Sequence, residues 1–198
     1  LGTAQLTTLS RSADRLDLAD EASIAAAAEQ IDGPFDLIFD ATGALEIDGH
    51  GPEKALSQID PQAMAAQFAL NAIGPALLLK HFGPKLSREG RAVFATLSAR
   101  VGSIGDNRLG GWISYRASKA ALNQIVRTAS VEMTRRNPES IVVALHPGTV
   151  QTPLTRKYVG DKATPPDEAA ANLVRVLHDL RPQHTGGFFD YAFKEIPW

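Results

Sequence analysis

Apolar positions recur along this chain with two periods. Short runs that are apolar throughout or alternate with polar residues predict strands at Ala4–Leu9, Arg15–Leu18, Phe35–Asp40, Ala92–Leu97, Ile141–Leu145 and Gly186–Tyr191. Apolar or small residues spaced three and four apart predict helices over Asp20–Ile31, Asp60–Phe82 and Pro166–Leu180. A further helix runs through Tyr115, Ala117, Ala121, Leu122, Ile125, Val126, Ala129 and Met133 until Asn137-Pro138 stops it. From Phe35 onward helices and strands alternate, which argues for a single α/β domain built on a doubly wound parallel sheet. The opening, two strands before the first helix, does not fit that rhythm.

Composition narrows the class of partner. The chain has 198 residues, 44% of them hydrophobic, and a net charge of −2 at pH 7. That suits one core, and it gives no electrostatic reason to expect nucleic acid or an anionic membrane. A small molecule is the expected partner. No apolar run of about 18 residues and no export signal is evident, so neither a membrane span nor secretion is expected. The lack of cysteine fits a reducing, cytoplasmic setting. Histidines at 50, 81, 146, 178 and 184 lack ligand spacing, and no metal site is expected.

Candidate chemistry gathers between Ser98 and Lys119. Tyr115 and Lys119, four residues apart on one helix, share a face, and a cation one turn away favours the phenolate. Tyr115 is therefore the candidate general acid/base. Ser98 closes the strand at 92–97, at the carboxyl end where open α/β sheets bind ligands, and its hydroxyl is placed to polarise a carbonyl. Earlier in the chain, Pro75 follows Asn71 by four residues and cannot donate to its carbonyl, which predicts a kink and a carbonyl open to water.

These residues resemble the short-chain dehydrogenase/reductase family. The pattern is Tyr115-x-x-x-Lys119 after a strand ending in serine, and the run from Arg100-Val-Gly-Ser-Ile to Ala120-Ala-Leu-Asn123 is similar to its carbonyl-reductase and C-factor-like branch. The likeness extends over nearly the whole chain. It implies hydride transfer between NADP(H), with NAD as the other possibility, and a small ketone, aldehyde or secondary alcohol. Tyr115, Lys119 and Ser98 would be catalytic, and Asn71, in Asn-x-x-Gly, would hold a water relaying protons to Lys119. A homodimer or homotetramer built on the helices carrying Asn71 and Tyr115 is also implied.

The resemblance assigns cofactor contacts as well. Arg11 would sit near the adenosine ribose, favouring a 2′-phosphate, with Asp17 and Leu18 at the adenine edge; a surface arginine and a helix-entry carboxylate are the plainer readings. Asp40-Ala41-Thr42-Gly43 is similar to an Asn-Asn-Ala-Gly turn. Pro147, Gly148, Thr149, Val150 and Thr152 would bracket the nicotinamide, with a short lid of about a dozen residues between Thr152 and Pro166. Two departures stand out. Where relatives carry a pair of serines this chain has Ser98-Ala99, so Ser98 serves from one position earlier, Ser103 serves, or the hydroxyl is absent; Ser98 is the reading taken. The family's opening strand, Gly-x-x-x-Gly-x-Gly turn and helix have no counterpart here. The expectation is a chain shortened by roughly 30 to 40 residues, one βα unit, or a natural short form without normal cofactor binding. The tail Ile196-Pro197-Trp198 is expected to anchor on the body or on a partner subunit.

Overall fold

Apolar runs in the middle of the chain become strands covered on both faces, as their lack of polar alternation requires. The computed structural model describes residues 4–152, 155–159 and 163–198. Among them β1 (Leu37–Asp40), β2 (Ala92–Leu97), β3 (Ser140–His146) and β4 (Phe188–Asp190) form one sheet in that order, every neighbouring pair parallel. Successive residues point to opposite faces and so feed two cores. Ala92, Phe94, Val142 and Ala144 face one core with residues of α2 (Glu21–Glu29) and α5 (Ile113–Arg136). Val93, Ala95, Ile141 and Val143 face the other, closed by Leu173 and Val176 of α7 (Pro166–Asp179). Phe94 and Phe188 are fully buried, and each such side chain contributes about 2 to 3 kcal/mol.

Helix starts follow their caps. Asp20 accepts a bond from the Ala22 amide at 3.0 Å to open α2, and Asp60 accepts one from the Ala63 amide at 2.7 Å ahead of Pro61. The helix that follows is continuous but not uniform: α3 (Pro61–Phe68) leads through a wide π turn (Ala69–Ile73) into α4 (Gly74–Phe82). Within the wide turn the Gly74 amide donates to Ala69, five residues back. Pro75 has no N–H to offer Asn71, so the regular four-residue bond cannot close there and the turn widens. Gly74 lies against the chain at Leu18, where a Cβ would come within 2.8 Å of the Leu18 Cβ.

Three expectations change. Residues 4–9 join no ladder, and Leu6 is 82% exposed. Residues 15–18 are not a strand either: Arg11–Asp14 form a helical turn, α1, and Arg15 takes a left-handed φ of 57° that breaks the extension. Leu16 and Leu18 nonetheless enter the core beside α2. The cause is that an extended segment is held by a neighbour's N–H and C=O groups, and among the described residues β1 pairs only with β2. Third, the continuous helix Pro61–Lys85 is by length and composition apolar enough to cross a membrane, with a mean hydropathy of 1.3 over its best window. Here its Leu78, Leu79 and Phe82 pack into the core, and the amides of Gln67 and Asn71 bond to the segment after β1.

The C-terminal anchor closes on its own chain. Ile196 is buried, the Trp198 ring stacks on Phe188 at 5.8 Å, and the Trp198 carbonyl accepts the Gly105 amide at 2.9 Å. The predicted lid falls partly outside the described residues, at 153–154 and 160–162; the short helix α6 (Arg156–Val159) lies within it.

Candidate active site

A cavity of about 670 Å³ opens where β1, β2 and β3 end. Its floor is the three segments that leave those strands: Ala41, Thr42 and Gly43; Ser98 and Ala99; and Pro147, Gly148, Thr149, Val150 and Thr152. Its wall is α5, which presents Tyr115 and Lys119. Arg11, Asp17, Leu18 and Asn71 are not part of its lining. Arg11 is 79% exposed and sits 3.9 Å from Asp17, while Leu18 packs into the core. Asp17 accepts the Ala19 amide at the approach to α2, and Arg11 lies on the surface.

Lys119 is almost wholly buried, and its ammonium donates to the Leu97 carbonyl at 2.9 Å. Burial lowers its pKa to about 8, partly opposed by the carboxylate of Asp40. Asp40 is itself buried but well served. It accepts from the Thr42 amide at 2.9 Å, the Thr42 hydroxyl at 2.5 Å and the Thr96 hydroxyl at 2.6 Å. Burial has the opposite effect on the phenol, since it disfavours an anion: Tyr115 is pushed up to about 12. The expected lowering by Lys119 is therefore outweighed by burial, with the ammonium held at the Leu97 carbonyl. A phenol in this state keeps its proton.

The two serines are already engaged. The Ser98 hydroxyl donates to Asn123 Oδ1 at 2.7 Å, and the Ser98 amide to Leu145 at 2.8 Å. Ser103 is buried, donates to the Pro197 carbonyl and accepts the Asp106 amide at 3.1 Å. At the wall position after Ser98 the cavity meets the Ala99 methyl. Ser98 and Ala99 both line the cavity, whereas Ser103 does not.

Asn71 is fully buried in the wide turn and works as a clamp. Its Oδ1 accepts the Ala44 amide at 2.9 Å, and its Nδ2 donates to the Ala44 carbonyl at 2.8 Å and to Gln67 Oε1 at 2.6 Å. Gln67 donates to the Leu45 carbonyl at 3.0 Å. The pair holds the β1 exit as a strand partner would. Gly43 passes beneath: a Cβ there would stand 3.2 Å from both Asn71 Oδ1 and Lys119 Nζ, so the turn links Asn71 to Lys119.

The chain is similar to several known proteins. A C-signal protein of Myxococcus xanthus is 36% identical over 167 residues, covering 84% of this chain and 94% of that protein. Two crystal structures each match 92% of this chain and 75% of theirs. One is a carbonyl reductase from chicken fatty liver with bound NADPH, at a TM-score of 0.81 and 29% identity; the other is a short-chain dehydrogenase/reductase from Burkholderia multivorans with bound NADP, at 0.78 and 26%. A family model described as Enoyl-(Acyl carrier protein) reductase matches residues 3–183. The chain belongs to the short-chain dehydrogenase/reductase family. Some longer relatives are spanned over less than two thirds of their length.

In this short-chain dehydrogenase/reductase several residues that shape the site escape a reading by motif. Asn123 lies on the face of Tyr115 and Lys119, one turn further on, and Gln67 lies one turn before Asn71; that spacing was the available signal. Arg116 donates to the carbonyls of Val101, Gly110 and Gly111 at 2.9 to 3.2 Å, which holds the loop of positive-φ residues Gly110, Gly111 and Trp112 against the start of α5. Trp112 then meets Tyr115 edge-on at 6.3 Å and Tyr158 at 5.4 Å. His146, at the end of β3, is kept neutral, its pKa lowered to about 4 by burial and by Arg100.

Proposed function

We propose that this chain is a reductase that moves hydride between NADP(H), with NAD as the alternative, and a small ketone or aldehyde, Tyr115 giving the proton. The observation that carries the reading is the convergence of Tyr115, Lys119, the Gly43 turn and the 147–150 turn on one cavity at the carboxyl ends of the strands. The NADPH-bound carbonyl reductase of similar fold supports it.

The residues present fit the nicotinamide-ribose half of such a cofactor. Gly43 leaves its turn without a side chain beside Lys119, Gly148 takes a φ of 80°, and Thr42 and Thr152 put hydroxyl-bearing residues along the floor. Lys119 would hold the ribose, and Pro147 to Thr152 the carboxamide end. Arg11, Asp17 and Leu18 stand outside this cavity. When bound, the cofactor supplies the hydride.

Tyr115 keeps its proton in a buried site and could donate it to a carbonyl oxygen. Moving the Lys119 ammonium from the Leu97 carbonyl toward the cavity would bring a cation to the phenol and stabilise the phenolate as it forms. Asn71 fixes the Gly43 turn that passes beside Lys119. Trp112 and Tyr158 line one side of the cavity with aromatic surface. Assembly through α4 and α5 belongs to the same reading; between those helices a groove of about 570 Å³ is lined by Leu79, Ile125, Ala129 and Met133.

Fluorescence titration with NADPH and with NADH tests the cofactor, and a carbonyl screen with Tyr115→Phe tests the chemistry. The variant should bind NADPH as the parent does and lose at least about 100-fold in turnover. Parental turnover in Tyr115→Phe would remove this mechanism. A non-catalytic, signalling role is the second reading, favoured by the 94% span of the C-signal protein. A folded chain that bound neither nucleotide, even when extended by an N-terminal βα unit, would select it.

A further inference from the structure

The substrate end of the cavity has an unusual balance of charge. Its lining includes Arg100, Arg108, Arg116 and Lys119, against Asp106 as the one carboxylate among the described lining residues. Three of the cations are committed. Arg100 lies 3.0 Å from both Asp106 and Asp190, Arg116 is spread over three carbonyls, and Lys119 is on Leu97. Arg108 differs: it is exposed at the mouth and has no hydrogen bond or ion pair among the described residues.

The loop that carries Arg108 is held on both sides. Asp106 is fixed by Arg100 and by its amide on Ser103, and Asn107 Oδ1 accepts the Gly110 amide at 3.1 Å. Next to it Leu109 is exposed, and Trp112 and Tyr158, whose rings meet edge-on, line the cavity with aromatic surface beside Tyr115. A phenol that donates to a carbonyl at one end, an aromatic wall, and an unspent guanidinium at the other describe a molecule by its shape and charge. Guanidinium binds carboxylate through paired, charge-assisted hydrogen bonds, and a backbone fixed beforehand reduces the ordering cost of that contact.

We propose that the substrate class is an apolar carbonyl compound bearing a carboxylate at the end away from the reacting carbon, and that Arg108 receives that carboxylate. The proposal rests on the reductase reading for the identity of the reacting group, but its test reads binding.

Isothermal titration calorimetry with 4-acetylbenzoate and with its methyl ester, on the NADP-saturated protein and on the protein alone, separates charge from shape. The parent should bind the acid roughly fivefold or more tightly than the ester, a modest ratio because the arginine is partly solvated. Arg108→Gln should erase that preference and leave the ester's affinity unchanged. Arg88→Gln, which removes the same charge from a surface outside this cavity, should keep it. Equal affinities in the parent, no binding of the acid, or a preference that survives in Arg108→Gln would each overturn the proposal. Turnover followed in parallel tells the two ideas apart: selective binding of the acid through Arg108 without reduction of either ketone would sink the reductase and leave this assignment standing.

Discussion

Holding a cation inside the site costs stability, and the cost can be read by titration. Lys119 loses its proton near pH 8 in the folded chain and near 10.5 when exposed. Well below pH 8 both states carry the charge, and the folded state bears the full penalty of burying it. Between about pH 8 and 10.5 the unfolded chain binds the extra proton, so stability rises with pH. The two pKa values correspond to about 3 kcal/mol in all, of which about 2 kcal/mol is recovered between about pH 7 and 9.5. Tyr115 acts in the opposite sense, but only above about pH 10, where the unfolded phenol ionises first. Lys119→Met removes the charge and keeps an unbranched apolar stem. Urea unfolding of parent and variant at the two pH values should show the parent gaining about 2 kcal/mol more than the variant. Pairing the proteins cancels the other lysines. Parallel changes, within about 0.5 kcal/mol, would mean that the buried ammonium is not the source and would refute the reasoning.

Two further outcomes follow from packing and from the occupied serine. Gly74→Ala should lose about 1 to 3 kcal/mol in thermal or urea unfolding, because the new methyl would lie 2.8 Å from the Leu18 Cβ and 3.0 Å from the Leu18 carbonyl oxygen; an unchanged midpoint would mean that residues 15–18 move freely. Ala99→Ser should raise kcat for ketones about fivefold with little change in KM, by adding one donor worth about 1 kcal/mol to the developing oxyanion. If Ser98 already serves the substrate, the same substitution would leave kcat where it was.

What the sequence could disclose was whatever its local period encodes. The helices through Asn71 and Tyr115 and the strands at 92–97 and 140–146 were legible because each carries its own pattern of apolar positions and its own stops, such as Asp60-Pro61 and Asn137-Pro138. Residues 4–9 and 15–18 have the composition of strands, but a strand is completed by its neighbour, and no local pattern reports whether one is there. The candidate site divides in the same way. Tyr115, Lys119 and the turns at 41–43 and 147–150 were visible as types at spacings. The direction of the Ser98 hydroxyl was not, since it is set by Asn123, 25 residues away, and Asn71 depends on Ala44, 27 residues away. Arg108 was invisible because its interest lies in what the other cations already touch.

The wide turn at Ala69–Ile73 also fixes a phase. An α-helix advances about 100° per residue, so one residue beyond the regular count rotates everything after it by that angle relative to everything before. Gln67 and Asn71 look toward Ala44 and Leu45, while Leu78, Leu79 and Phe82 look into the core. In a perfectly regular helix those two stripes would not be in register with their separate targets. Removing a single residue from this turn would act like a slipped gear tooth, leaving the helix intact while the clamp on the Gly43 turn and the seat of α4 could no longer both engage.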